Sequence, residues 1–316
     1  MGVRPLPQPA EADVQIATTY SIVAHEPSTG RIGAAVQSHW FNVADVLWVR
    51  AGVGAVATQS LASFGYGPRI LGRLEDGGDP TIVLPELLAD DPDREVRQIS
   101  VLTPRAATIH TGTRCIVHAG HRQGPDYCVA ANLMARPTVW DAMAETFEST
   151  DGVLSERLMA ALEAGQAEGG DIRGMQSCAL VVMTGEPTGE SWKDKVVDIR
   201  VDDHPEPLRE LRRSLDVARA YDHMVEGEVL LGQRRLEEAL EAHLRALELA
   251  PDRAEIAFWT AVSHVAIGDV DRALDLFRRC FAHEGGWREL VDRLVEPGLM
   301  PDDSELLDRI RRLRVT

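Results

Sequence analysis

Thr18-Thr19-Tyr20-Ser21-Ile22-Val23-Ala24 decides how this chain is read. Hydroxyl, aromatic and β-branched residues in this run predict a strand. Thr19, Ser21, Val23 and His25 then share one face, and Tyr20, Ile22 and Ala24 the other. Pro27-Ser28-Thr29-Gly30 follows as a turn and Ile32–His39 as a returning strand, so the opening element is a hairpin. The position of Thr19 also bears on chemistry. Where a Thr begins a mature chain, its own α-amino group can take the hydroxyl proton and turn the side chain into a nucleophile. Here other residues precede it, so that chemistry depends on their removal.

Working outward, residues 1–17 carry Pro5, Pro7 and Pro9 and lack the apolar core of a signal peptide, so they are expected to form a flexible leader. Beyond the hairpin, Gly54–Gln59 reads as a strand, and Tyr66–Leu74 and Pro80–Leu88 as helices. Val96–Leu102, Ala107–Thr111, Cys115–His118 and Tyr127–Leu133 read as strands. Val139–Phe147 and Leu154–Glu168 are helical, and Gln176–Met183 and Val196–Val201 close the segment as strands. This order fits an α+β domain of two stacked sheets with helix pairs outside better than a parallel doubly wound sheet. Asp202–Pro207 is the expected boundary, giving domains at 18–207 and 208–316. The second is purely helical. Ala220, Gly227, Leu230, Ala239, Ala246 and Pro251 resemble one tetratricopeptide-type repeat of about 34 residues, and a degenerate second repeat starts at Ala254. Leu230, Leu240, Phe258 and Trp259 would form either the core between its paired helices or a peptide groove, and helical spacing favours the core.

A net charge of −17 disfavours nucleic acid and anionic membrane surfaces as partners. No apolar run approaches the length of a membrane span. Cys115, Cys128, Cys178 and Cys280 are scattered without a CxxC pair, as in a reduced, cytoplasmic chain. Gly52-Val53-Gly54-Ala55-Val56-Ala57 formally matches GxGxxA, but it leads into a strand pattern where a dinucleotide site needs a helix. His118 and His121 have HxxH spacing without a third ligand, so no metal site is expected. What is left is polar residues at strand ends: Ser38, Thr58, Gln59 and Asn132. They would line a pocket between two sheets, although the β-propensity of Thr and Ser accounts for such residues at least as well.

The segments TTYSIVAHEPSTGRIGAAVQS, WVRAGVGAVATQS, YGPR, REVRQ, AGHRQGPDYCVAAN, AGQAEGGDIRGMQSCALVV and VDDHPEP, in order along residues 18–207, resemble the domain of unknown function 1028. That family is assigned to the N-terminal nucleophile (Ntn) hydrolase superfamily. The resemblance implies an αββα four-layer sandwich and hydrolysis of a small amide or peptide-like bond; no cofactor is expected. Thr19 would be nucleophile and base, and Asn132 an oxyanion-hole donor. Ser38, Thr58 and Gln59 would line the pocket, and Arg173 would hold a substrate carboxylate or pair structurally with Asp171. Members of the family usually begin almost at the strand containing this Thr. This sequence departs from them, because the Thr19 nitrogen is an amide until the chain is cut before it. The competing expectation is a non-catalytic ligand-binding or assembly module whose helical tail recruits a protein partner. Either form is expected to self-associate, most simply as a two-fold dimer.

Overall fold

The computed structural model describes residues 14–17 and 19–314. The chain opens with β1 (Val14–Ala17), β2 (Thr19–His25), β3 (Ile32–Ser38), β4 (Leu47–Arg50) and β5 (Gly54–Ser63). Helices α1 (Tyr66–Glu75) and α2 (Pro80–Ala89) follow, then β6 (Arg97–Leu102), β7 (Ala107–Thr111), β8 (Gly120–Gln123) and β9 (Tyr127–Ala131). A second helix pair, α3 (Val139–Ser149) and α4 (Leu154–Ala167), leads to β10 (Ser177–Met183) and β11 (Lys195–Val201). The strands form two antiparallel sheets. One is five-stranded, ordered β1-β5-β6-β7 with β4 also on β5; the other is six-stranded, ordered β11-β10-β3-β2-β9-β8.

The sheets face each other across Val23, Ile32, Ala34, Ala55, Ala57, Leu102 and Cys128, all buried. These are alternate residues of their strands, so their neighbours point outward, away from the opposite sheet. On the five-stranded sheet the outward residues Val56, Ile99 and Val101 pack under Tyr66, Ile70 and Leu74 of α1 and Leu84 of α2. Each large apolar side chain so buried contributes about 1.5–3 kcal/mol before the entropy of ordering it. On the six-stranded sheet α4 lies so close that a Cβ on Gly33 would sit 2.8 Å from Leu158 Cδ1. The layers therefore run helices, sheet, sheet, helices. β2 and β3, covered on both faces, are buried along their whole lengths.

Two expectations need correcting, and one strand was not foreseen. Val14–Ala17, assigned to the flexible leader, form β1 and pair with Ser60–Ser63 of β5; an open edge of β5 recruits whatever extended chain lies beside it. The rest of the leader lies outside the described residues. Cys115–His118 are not a strand. Cys115 N–H closes a turn onto Gly112 O, and the strand begins at Gly120. The hairpin partner of β5, β4, was not anticipated from the sequence; its intermediate burial reflects an edge position.

The chain divides into two compact units, Met1–Arg212 and Arg213–Thr316. In the second, the C-terminal part of α5 (Pro207–Gly232) is followed by α6 (Leu236–Leu249), α7 (Ala254–Ala266), α8 (Val270–Cys280), α9 (Trp287–Arg293) and α10 (Ser304–Arg311). Leu230 and Phe258 lie in its buried core, with Trp259 packed against it, as helical spacing favoured. A Cβ on Gly227 would come within 2.4 Å of the His243 ring, so the glycine permits the close approach of α5 and α6. Among the described residues no helix is long and apolar enough to cross a membrane.

Candidate functional site

Thr19 begins β2 at one end of the sandwich, where four strands of its sheet terminate together. It stands opposite Ser38, the last residue of β3, and Ser38 stands opposite Ser177, the first of β10. Asn132 follows β9 and donates its backbone N–H to Thr19 O at 3.1 Å. The facing sheet sends two amides across the gap, Gln59 from β5 and Gln98 from β6, which are themselves cross-strand neighbours. Thr19, Ser21, Ser38, Gln59, Gln98 and Asn132 are all buried.

Buried amides must find partners, and here they find one another. Ser21 Oγ donates to Gln59 Oε1 at 2.6 Å. Gln59 Nε2 donates to Gln98 Oε1 at 2.6 Å and to Thr19 O at 3.3 Å. Asn132 Nδ2 donates to Gln98 Oε1 at 3.0 Å and to Thr19 O at 3.4 Å. Gln98 Nε2 reaches Thr111 Oγ1 at 2.9 Å and the carbonyls of Gly120 and Ala131, both at 3.0 Å. Thr111 Oγ1 in turn meets His121 Nδ1 at 2.9 Å, which carries the chain of contacts to the surface. Three donors thus converge on the Thr19 carbonyl and fix the start of β2 between the sheets. Asn132 Oδ1 is buried without a hydrogen-bond partner among the described residues.

Of the residues singled out from sequence, Thr19, Ser38, Gln59 and Asn132 come together here. Thr58 does not. It alternates with Gln59 and shares the outward face of Val56, and its buried hydroxyl has no hydrogen-bond partner among the described residues. Arg173 is held by Asp171: Nε reaches Oδ1 at 3.0 Å and Nη2 reaches Oδ2 at 2.6 Å. The Asp171 side chain is fully buried, and this pairing compensates its charge. Its loop runs beside the site, with Ile172 N–H bonded to Leu133 O and Leu133 N–H to Ile116 O. Ile116, Val117 and Ile172 are exposed apolar residues on these segments. Gln98 is the central residue that the sequence reading missed. Its signal was a polar pair, Gln98 and Ser100, at alternate positions of a fully buried strand.

Backbone strain gathers at the same place. Ser60, next to Gln59, has φ 69° and Leu133, next to Asn132, has φ 58°, both in the left-handed region that costs a side-chain-bearing residue energy. The two histidines of the HxxH pair are engaged separately, His118 Nδ1 with Met134 O and His121 with Thr111. Burial pushes the Cys128 thiol up to about 12, and burial, then Asp202, pushes Cys178 higher still. Both stay protonated at neutral pH, which leaves hydroxyls as the nucleophile candidates in this unit's core.

Residues 19–211 match the model of a family of unknown function, DUF1028. The chain belongs to that family. The DUF1028 match starts at Thr19, the residue on which the site converges. A solved crystal structure of a DUF1028 protein from Silicibacter pomeroyi is similar, at 28% identity and a TM-score of 0.56. The similarity covers 63% of this chain and 88% of that one. Among curated proteins there is no match.

Proposed function

We propose that the DUF1028 unit is an Ntn-type amidohydrolase, with Thr19 as nucleophile and base once the residues before it are removed. The observation that carries this reading is the placement of Thr19: it is the first residue of a buried strand, the first residue of the family match, and the point where Asn132 and Gln59 converge. The helix–sheet–sheet–helix layering suits the αββα sandwich of that superfamily. A freed α-amino group, with an ordinary pKa near 7.7–8.0, would accept the Thr19 hydroxyl proton at neutral pH. Asn132 Nδ2 is the donor proposed for the tetrahedral oxyanion, and Ser38 and Gln59 line the same space. The substrate class is a small amide or peptide-like compound, in a cytoplasmic, self-associating protein. The helical unit is read as tetratricopeptide-like and as the surface for a protein partner.

Mass measurement and N-terminal sequencing of chain purified from its native host test the nucleophile. The reading expects a chain starting at Thr19 that hydrolyses small amides, with both processing and hydrolysis lost in Thr19→Ala. Activity in a chain that keeps Thr18 would overturn it. The second reading, a non-catalytic ligand-binding or assembly module, draws support from β1, which holds Val14–Ala17 on β5 just before Thr19. It expects the full-length chain and no hydrolysis.

A further inference from the structure

β1 and β2 are consecutive in sequence yet belong to different sheets. The chain lies on the edge of β5 up to Ala17 and has crossed to the other sheet by Thr19. Along that edge Ala17 stands opposite Ser60 and Val14 opposite Ser63. β6 covers the other side of β5 only as far as Ser60. Among the described residues, Leu61–Ser63 therefore have β1 as their one strand partner.

The edge is held in shape independently of β1. Arg97, buried, donates from Nη1 to Leu61 O at 2.6 Å and from Nε to Asp91 Oδ2 at 2.9 Å. Tyr66 OH donates to the same carboxylate oxygen at 2.9 Å. Left-handed Ser60 marks the joint at which β5 leaves β6 and turns to β1.

Resting on the amidohydrolase reading, we propose that the Ser60–Ser63 edge of β5 is a substrate subsite. It takes the acyl side of an extended peptide as an added antiparallel strand, and β1 is its resident occupant. The direction fits. β1 runs toward Thr19, so a peptide docked the same way presents its next bond to that residue, with about four residues read through main chain alone. This narrows the substrate class from small amides in general to peptide-like chains extended on their amino side. The register also says which amides count. Leu61 turns its carbonyl to Arg97, away from β1, so the edge groups facing β1 are those of Ser60 and Ala62, opposite Ala17 and Gln15. In an antiparallel ladder the N–H of Gln15 then points at β5 and that of Ile16 points away.

The test uses the full-length chain carrying Gln15→Pro and Ala17→Pro, which removes both ladder donors of β1 and opens the edge. A fluorescein-labelled peptide with the sequence of residues 10–18 is titrated against it and against the parent chain, with circular dichroism to confirm folding. Binding to the variant is expected at least about tenfold tighter than to the parent, whose tethered leader competes at high effective concentration. N-methylation of the peptide at Gln15 is expected to weaken binding about tenfold or more, and at Ile16 to leave it unchanged. Equal binding to both chains, no binding to the folded variant, or equal loss from both N-methyl peptides would overturn the subsite. Binding is read without catalysis. Hydrolysis is read separately, on chain that begins at Thr19: failure there while binding holds refutes the Thr19 nucleophile and spares the subsite, and the reverse pattern refutes the subsite alone.

Discussion

Replacing Gln98 with Leu keeps the volume at the centre of the polar cluster and removes every hydrogen bond made there. Gln98 Oε1 accepts from Gln59 Nε2 and Asn132 Nδ2, and both donors are buried. Each keeps only a long contact to Thr19 O, at 3.3 and 3.4 Å. A buried donor left unsatisfied costs about 1–3 kcal/mol, so the two together cost about 4 kcal/mol. Burying the Leu side chain offsets about 1 kcal/mol of this, leaving a net loss of about 3 kcal/mol. Ser100→Ala is the matched control. It lies two residues along the same face of β6, and its buried hydroxyl has no hydrogen-bond partner among the described residues. Removing that hydroxyl orphans nothing, so the variant should be neutral or more stable by up to about 1 kcal/mol. Urea unfolding of both variants, followed by circular dichroism at neutral pH, reads the difference. A Gln98→Leu cost below about 1 kcal/mol, or an equal cost for Ser100→Ala, refutes the view that this amide ties the sheets together.

Gly54→Ala should destabilise the first unit by about 1–3 kcal/mol, because the new Cβ would lie 2.4 Å from Leu102 O and backbone must move; thermal unfolding checks it. In the helical unit, buried His243 sits between Ser263 Oγ at 2.7 Å from Nδ1 and Met224 O at 3.2 Å from Nε2. Burial pushes its pKa down to about 4, against a partial upward pull from the Met224 carbonyl. The folded value lies below the unfolded value near 6.5, so the unfolded chain binds the proton first. The neutral ring's stability is intact above pH 6.5 and is lost as pH falls toward 4, by roughly 3 kcal/mol in all. Urea midpoints of this unit at pH 7.5 and 4.5 should show the fall, and His243→Gln should flatten it.

The hairpin of β2 and β3 was legible because its first strand is made of hydroxyl, aromatic and β-branched residues and its turn carries Pro27 and Gly30, the latter at φ 72°. The helices α1 and α2 were legible from their spacing, and the structure adds the cap of α2, Asp79, whose side chain accepts from Thr81 N–H. Of the site, the shared face of Thr19 and Ser21 and the positions of Gln59 and Asn132 at strand ends could be read. Thr58 could not be placed, since the side it faces depends on which sheet β5 joins. Gln98 escaped notice because a lone Gln in a strand reads as exposed until both faces are known to be covered. β1 escaped for a different reason. A four-residue strand pairs by opportunity, and its partner edge is decided by chain segments far away in sequence.

The order of strands in the six-stranded sheet bears on how the chain is made. β2 and β3 pair early, but their outer neighbours are β9 and β10, and Val43 N–H waits for Ser177 Oγ across a separation of 134 residues. During synthesis this hairpin, buried along both strands in the fold, emerges early and keeps bare edges until β9 and β10 have left the ribosome. Long-range pairing of this kind closes slowly and leaves unpaired strands open to other chains. Recombinant yield should therefore respond more to slower translation, lower temperature and chaperone supply than to surface charge, and fragments that stop before β10 should collect as aggregate.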